Sequence, residues 1–486
     1  MNEQTLVAKV WNLAHVLRDE GVSYQDYLTQ ISFLLFLKMD QERDRQGGEP
    51  SPLPDELRWD KLASLSGEPL TKHYAKVLEE LSRRSDVIGT IFLRAENKIS
   101  DPARLQRVIA MIGEQTWLGL DGDVKGAIYE GLLERNASEV RSGAGQYFTP
   151  RPVIEAIVQV MDPEPHQSVH DPAVGTGGFL LAAYDHMRRK PEARDRAVGK
   201  RLRNQLLTGT DIVAEVVRLC AMNLYLHGLG NELPLVTQRD ALADRGNASF
   251  DMILTNPPFG KRQSFRIVGS DGRIETEKQS YVRDDFIVET GNKQLNFLQH
   301  IMSVLKPNGS AAVVLPDNVL FEGGAGETLR RRLLDEFDLH TILRLPTGIF
   351  YSQGVKANVL FFERMPAGTR EGTQATWVYD LRTNMKFTLK ERPLARSDMA
   401  DFIEAFRPKT KFHERRESER FKPFDRAALL ARDKLNLDIS WLKDENATDP
   451  DSLPPPDEIA ADIVDQLEEA LSRFRKVAEA LAKPAA

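Results

Sequence analysis

Asn256-Pro257-Pro258-Phe259 follows an apolar run, Phe250-Asp251-Met252-Ile253-Leu254, that reads as a short buried strand ending at Thr255. Two successive prolines cannot continue a strand ladder and lock the backbone into a rigid turn at the strand's exit. The turn presents an amide side chain, backbone carbonyls and an aromatic ring. These are the groups needed to grip a planar molecule carrying an exocyclic amine. The amide oxygen of Asn256 and the carbonyl of Pro257 can accept its two N–H bonds while Phe259 stacks on its ring. An amine held this way can turn its nitrogen lone pair toward an electrophile. Taken alone, the tetrapeptide reads equally well as a strand followed by a proline loop.

A second set of residues supplies the missing half of such a reaction. Asp171-Pro172-Ala173-Val174-Gly175-Thr176-Gly177-Gly178-Phe179 leaves a predicted strand and enters a helix expected over residues 179–187. Glycines there let the backbone turn tightly and approach a ligand, while the helix N-terminus offers free N–H groups. The pattern is not the G-x-G-x-x-G dinucleotide fingerprint, and Asp171 at the strand tip would repel a pyrophosphate. An acidic tip better suits a ligand with a positive centre or an amino group. Asp211 ends the next apolar run, residues 206–210, at the place where open α/β folds hold ribose hydroxyls. A helical insert over residues 188–203 lengthens the separation from the glycine turn. Asp240, in Thr237-Gln238-Arg239-Asp240-Ala241, is placed to accept from an adenine amino group. Each acid alone is more often a helix cap or loop residue. In this order, with the strand-end Asn-Pro-Pro-Phe, they read together as a cofactor site.

The elements that must position these residues lie in the middle of the chain. From residue 143 to 424, short apolar runs at 168–170, 206–209, 252–254, 311–315 and 341–345 alternate with helical patterns, which predicts βαβ units on a mainly parallel sheet. The runs 341–345 and 359–362 flank Gly348 and Gly354 and predict a final, antiparallel pair. Residues 1–142 read as helical: Val10, Leu13, Ala14 and Leu17, then Tyr27, Ile31, Leu34 and Leu35, then residues 74–81 and 105–112 recur at helical spacing. Residues 425–486 contain a linker rich in Asp, Pro and Ser at 446–456. After it Ile463, Leu467, Ala470, Phe474, Val477 and Leu481 form a heptad seam, suited to a partner helix or to folding back on its own domain. At 486 residues with a net charge of −7, the chain is no simple polybasic nucleic-acid binder. Its one cysteine, Cys220, excludes an internal disulfide framework, agrees with a reducing cytoplasm and is expected in the core. The apolar run 31–37 is too short to span a bilayer, and the histidines lack the paired spacing of zinc ligands.

With these motifs in view, the chain resembles the S-adenosylmethionine-dependent DNA N6-adenine methyltransferases. Their pattern runs F-T-P, then Asp-x-x-x-Gly-x-Gly, then Asn-Pro-Pro-Phe; here these are Gln146-Tyr147-Phe148-Thr149-Pro150-Arg151, Asp171 to Gly177 and Asn256 to Phe259. It is still more similar to the modification subunit of type I restriction-modification systems. That likeness rests on Leu345-Pro346-Thr347-Gly348-Ile349-Phe350, Gly354-Val355-Lys356-Ala357-Asn358-Val359-Leu360, Val314-Leu315-Pro316-Asp317-Asn318-Val319-Leu320-Phe321 and residues 33–39. The resemblance implies an α/β, Rossmann-like methyltransferase domain between a helical N-terminal domain and a C-terminal helical extension. It implies that Gln146, Tyr147, Phe148, Thr149, Pro150, Arg151, Gly175, Thr176, Gly177 and Asp211, with Asp171 and Asp240, hold S-adenosylmethionine. Asn256 and Phe259, with Pro257 and Pro258, would handle a flipped adenine. No metal and no covalent enzyme intermediate are then needed.

The same resemblance implies partners. Residues 260–290 carry Lys261, Arg262, Arg266, Arg273, Lys278 and Arg283, either a loop that touches DNA phosphate or a solvated surface. The stretch is too short for a target-recognition domain, and no helix-turn-helix, zinc-finger or Walker A sequence is present. Sequence choice on double-stranded DNA would then belong to a specificity subunit, and cleavage to a restriction motor-nuclease subunit, with a second copy of this chain in the complex. Two rivals share the Asn-Pro-Pro-aromatic loop: a self-sufficient DNA adenine methyltransferase, and enzymes that methylate protein glutamine or ribosomal RNA guanine.

Overall fold

The first half of the fold is built on one unusually buried helix. In the computed structural model, which describes residues 24–45, 50–117, 149–259, 264–268, 274–278, 281–350, 354–366, 368, 372–389 and 391–443, α1 (Tyr24–Arg45) has every residue from Ile31 to Leu37 buried. A helix apolar on all sides must be surrounded. Helix α2 (Trp59–Ala63) packs on it, the Tyr74 hydroxyl of α3 (Gly67–Ser82) donates to Gln30, Phe92 just after α4 (Val87–Ile91) meets Phe33 and Phe36, and α5 (Pro102–Gly113) packs alongside. Asp86 and Asp101 cap α4 and α5 by accepting from backbone N–H groups. The expected patterns at 27–35, 74–81 and 105–112 fall within α1, α3 and α5. The pattern at 10–17, the linker at 446–456 and the heptad seam lie outside the described residues, as do Gln146, Tyr147, Phe148, Lys261, Arg262 and Arg273.

The second half is a sheet. Its first strands are β1 (Val169–Asp171), β2 (Leu207–Asp211), β3 (Val236–Gln238) and β4 (Phe250–Thr255). A separate antiparallel hairpin follows, β5 (Ser264–Val268) with β6 (Ile274–Lys278), before β7 (Leu305–Pro316). The remaining strands are β8 (Phe337–Arg344), β9 (Ala357–Arg364), β10 (Ala375–Asp380) and β11 (Phe421–Asp425). The order across the nine-stranded sheet is β11-β10-β8-β9-β7-β4-β1-β2-β3. Strands β7, β4, β1, β2 and β3 are mutually parallel; β9 lies antiparallel between β7 and β8. Ile253, Leu254, Val313, Val314 and Leu315 have no exposed surface, which is why the central strands read as continuous apolar runs. The chain moves outward from β1 to β3, then returns to β4 on β1's other side. The crevice between β1 and β4 at their carboxyl ends is therefore the topological switch point.

Helices α6 (Arg151–Met161), α7 (Gly178–Met187), α8 (Arg196–Asn204), α9 (Ala214–Leu226), α10 (Lys293–Val304), α11 (Asn318–Phe321) and α12 (Ala325–Glu336) connect the strands or pack beside them. The strands expected from the apolar runs are present, and the antiparallel pairing of the last two, β8 with β9, is in register at Leu343 opposite Val359. Strands β3, β10 and β11 have no counterpart among those expectations, and the polar stretch 260–290 holds a hairpin as well as loop. The described residues as far as Ser440 make one compact unit. Beyond β11, α13 (Ala400–Phe406) having packed before it and α14 (Arg426–Leu430) after it, Leu429, Leu435, Leu437 and Ile439 are buried. Arg330 of α12 donates to the carbonyls of Lys434 and Leu435 and ties this tail to the domain. Cys220 is buried in α9, as expected.

Candidate active site at the switch point

Three parallel strands deliver their last residues to one edge. Asp171 ends β1, Asp211 ends β2 and Thr255 ends β4. Between β1 and α7 the chain makes the glycine turn, with Gly175 at φ 54° and Gly177 at φ 84°, backbone that only glycine adopts without strain. The turn is pressed onto its neighbours. The Val174 N–H donates to Thr210 at 2.9 Å, and the Asn223 amide donates to the Thr176 carbonyl at 3.0 Å. A Cβ on Gly177 would lie 2.9 Å from Sγ of Cys220. The Asp211 carboxylate accepts from the N–H of Gly175 at 3.4 Å and of Val213 at 3.0 Å, so the acid and the turn form one unit.

Asp171 is 2% exposed. Its Oδ1 accepts from the Thr255 hydroxyl at 2.6 Å and from the Ala173 N–H at 3.0 Å. Burial pushes its carboxyl up to about 7, against the pull of those two hydrogen bonds, and Asp211 adds to the rise. Burial also raises Asp211, opposed by its backbone amide donors. Asp240 accepts from the Leu242 N–H at 2.9 Å and from the Tyr281 hydroxyl at 3.2 Å. The Arg239 N–H donates to the Asp211 carbonyl at 2.9 Å, which lashes the Asp240 loop to the tip of β2. Burial, with Asp240 alongside, pushes the Tyr281 hydroxyl up to about 12.

On the other side of β1, Asn256 emerges from β4 and its Nδ2 donates to Oγ1 of Thr149 at 2.8 Å. Pro257 is buried and Pro258 exposed. Phe259 is buried and meets Phe350 edge to face, with ring centroids 6.3 Å apart. Phe350 ends the Leu345–Phe350 turn at the carboxyl end of β8. Gly348 holds that turn at φ 81°, where a Cβ would come within 2.0 Å of the Phe387 carbonyl oxygen. Beneath it, the Arg382 guanidinium donates to both carboxylate oxygens of Asp317, at 2.8 and 2.9 Å, and to the carbonyls of Leu345 and Ala357. The Asn358 amide also donates to Asp317, at 2.8 Å.

The structure thus brings together Thr149, Asp171, Gly175, Thr176, Gly177, Asp211, Asn256 and Phe259, with Asp240 on the adjoining loop. Pro150 caps α6. Arg151 turns along its own helix toward Glu155, 3.5 Å away. Arg283, grouped by sequence in a stretch expected either to touch DNA phosphate or to be a solvated surface, faces inward instead. It donates to the carbonyls of Ala241 and Leu242 and to Nδ1 of His300, and stacks on Phe286. Reading residue types alone missed Thr255, Tyr281, Phe350 and Arg382. Thr255 was legible as a strand end and Phe350 as part of a motif, but only the fold brings them, with Tyr281 and Arg382, to the site.

Among the described residues no group of three His, Cys, Asp or Glu side chains could hold a metal ion, and no helix is long and apolar enough to cross a membrane. Residues 120–440 match the N-6 DNA Methylase family, and residues 6–112 match the HsdM N-terminal domain. The methylase subunit of the type I restriction enzyme EcoKI from Escherichia coli (strain K12) is 38% identical over 98% of this chain and 94% of its own length. That of StySPI from Salmonella potsdam is 37% identical over the same shares. Among solved structures, the EcoKI M protein is 32% identical over 99% of this chain and 97% of that one, with a TM-score of 0.53. A chain from a study of complex assembly in a type I restriction-modification system covers 100% of both, at 26% identity and a TM-score of 0.68. The chain therefore belongs to the N-6 DNA methylase family and, within it, to the methylase subunits of type I restriction enzymes.

Proposed function

We propose that this chain transfers a methyl group from S-adenosylmethionine to the N6 amine of an adenine flipped out of double-stranded DNA, as the modification subunit of a type I restriction-modification complex in the cytoplasm. The observation that carries the reading is that Asn256 directly follows Thr255, which is bonded to Asp171 at the switch point, while the glycine turn after Asp171 is bonded to Asp211. A buried acid, a turn closed to side chains and a second acid at the next strand tip suit a cofactor with an ammonium group and a ribose. Asp171, Gly175, Thr176, Gly177 and Asp211 would hold it, and Asp240 its adenine. When bound, it supplies an electrophilic sulfonium methyl.

The chain's own residues do the remaining work. Asn256 and the Pro257 carbonyl accept both N–H bonds of the target amine, which orients its lone pair. The aromatic wall of Phe259 and Phe350 receives the base once it leaves the stack. Positioning and water exclusion carry the rate, since the chemistry is a single displacement. Residues 1–142 and 143–424 serve as helical domain and catalytic domain, and 425–486, whose first part packs on the catalytic domain, as a linker and partner-binding helix. A specificity subunit chooses the site, the heptad seam near the C-terminus and the helical domain dock partners, a second copy completes the methylase, and a restriction subunit cleaves.

The test is methylation of unmodified DNA by the purified chain with and without its specificity subunit. Transfer should depend on that subunit, and robust site-specific methylation by the chain alone would refute the delegation. Asn256→Ala should lower transfer by at least about a hundredfold while cofactor binding persists. Survival of methylation in that variant would remove Asn256 from the catalytic role.

A further inference from the structure

A primary amide presents an oxygen on one side and an NH2 group on the other, and rotation about its terminal torsion exchanges them. Only the oxygen accepts from an exocyclic amine; the NH2 end would meet that amine donor against donor. Something must therefore choose the orientation of Asn256 before the base arrives. The Asn256 Nδ2 donates to Oγ1 of Thr149 at 2.8 Å, across 107 positions of sequence. Thr149 is 6% exposed, so this hydrogen bond faces little competition from water.

Both ends of the bond are held rigidly. Pro150, directly after Thr149, is the N-cap of α6, and its carbonyl accepts from the N–H groups of Val153 and Ile154 at 2.9 and 3.2 Å. Ile154 then seats α6 on α7, close enough that a Cβ on Gly178 would lie 3.0 Å from its Cδ1. At the other end, Asn256 is flanked by Thr255, bonded to Asp171, and by two prolines. A hydrogen bond between two fixed backbones sets the plane of the amide, and with Nδ2 on the hydroxyl the amide oxygen is turned away from Thr149.

We propose that Thr149 is a positioning residue of the methyl-transfer site. Its hydroxyl holds the amide nitrogen of Asn256 and thereby aims the amide oxygen at the target amine. The inference rests on the functional reading above, and it differs from the cofactor contact that the F-T-P resemblance implies for the same residue. The two assignments predict different losses. A cofactor contact is felt in affinity for S-adenosylmethionine, whereas a positioning residue is felt in the rate of transfer at saturation.

The experiment uses the full chain with its specificity subunit, unmethylated genomic DNA and tritiated S-adenosylmethionine. Single-turnover transfer is followed at saturating cofactor, and cofactor affinity is measured by calorimetry on the same complex. Thr149→Val, alike in shape but lacking the hydroxyl, should slow transfer by about ten- to a hundredfold while cofactor affinity stays within about threefold. Thr149→Ser, which restores the hydroxyl, should return the rate to within about threefold of the parent. Three results overturn the proposal: normal transfer by Thr149→Val; a loss of cofactor affinity with a normal rate at saturation; or Thr149→Ser as slow as Thr149→Val. If Thr149→Val does not fold, Thr149→Ser against Thr149→Ala makes the same comparison, since that pair differs by the hydroxyl alone. Failure of the parent complex to methylate would instead refute the functional reading.

Discussion

Asp171 shows how one residue balances stability against binding. Its carboxyl is pushed from 3.8 up to about 7, chiefly by burial. The folded state therefore keeps a proton that the unfolded chain gives up. Below about pH 4 both states are protonated and the residue contributes no difference; as pH rises toward 7 the folded state loses ground, and above 7 it bears the full cost of a buried charge. Both hydrogen bonds that Asp171 accepts converge on Oδ1, an atom that an asparagine keeps. Asp171→Asn should therefore gain on the order of 1–3 kcal/mol over the parent at pH 8, and less at pH 6, in urea unfolding without cofactor. The same variant should bind S-adenosylmethionine more weakly, because the ammonium loses its counter-charge. A variant less stable than the parent at pH 8 would show that the buried charge is not what the fold tolerates there.

At the scale of elements, the catalytic edge is assembled by turns that follow β1, β2, β4, β7, β8 and β10. The parallel strands point their ends to that edge, and β9, running the other way, starts from it. Arg382, just past β10, gathers three neighbouring segments: Asp317 after β7, Leu345 after β8, and Ala357 and Asn358 at the start of β9. Its side chain and that of Asp317 are 9% and 15% exposed. Removing the guanidinium leaves the buried Asp317 carboxylate without its counter-charge, held by the Asn358 amide, and takes one donor from each of the Leu345 and Ala357 carbonyls. Arg382→Ala should cost roughly 3–5 kcal/mol in chemical denaturation. Because the Leu345–Phe350 turn rests on it, transfer should fall in the fraction that remains folded. A loss below about 1 kcal/mol would place Arg382 among dispensable surface pairs.

Over the whole molecule, the helical part and the sheet share a core rather than a linker. Tyr225 of α9 donates to Asp40 of α1 at 2.9 Å, Phe36 packs on Tyr225, and the Arg218 guanidinium donates to the Leu93 carbonyl. Helix α9 starts just after Asp211, so the helical region supports the cofactor edge directly. Two buried imidazoles make the fold sensitive to acid. His170, stacked on Phe250, and His300, beside Arg283, are both pushed down to about 3, chiefly by burial. The unfolded chain takes up these protons near pH 6.5 while the folded one refuses them, so the stability they contribute is lost as pH falls from about 6.5 toward 3. Each should account for up to roughly 2 kcal/mol between pH 7 and pH 5. The urea midpoint should drop over that interval, and His170→Phe, which keeps the stack on Phe250, should drop less. Equal slopes for the two chains would remove His170 from the account.

The local grammar of the site is legible in the sequence alone. The apolar run ending in two prolines, the glycine turn opening a helix and the acids at strand tips are each written in consecutive residues, because backbone geometry depends on near neighbours. Those signals located β1, β2, β4, β7 and β8 and most of the residues now gathered at the switch point. Which of these residues meet depends on the packing of the strands. Thr255 reaches Asp171 across 84 positions because β4 lies beside β1, and Thr149, before α6, reaches Asn256 across 107. Likewise Phe350 faces Phe259 because β9 inserts antiparallel between β7 and β8, and Arg283 turns inward because Ala241, Leu242 and His300 wait for it. Strand order is a property of how many apolar faces can be buried at once, and no window of neighbouring residues encodes that sum.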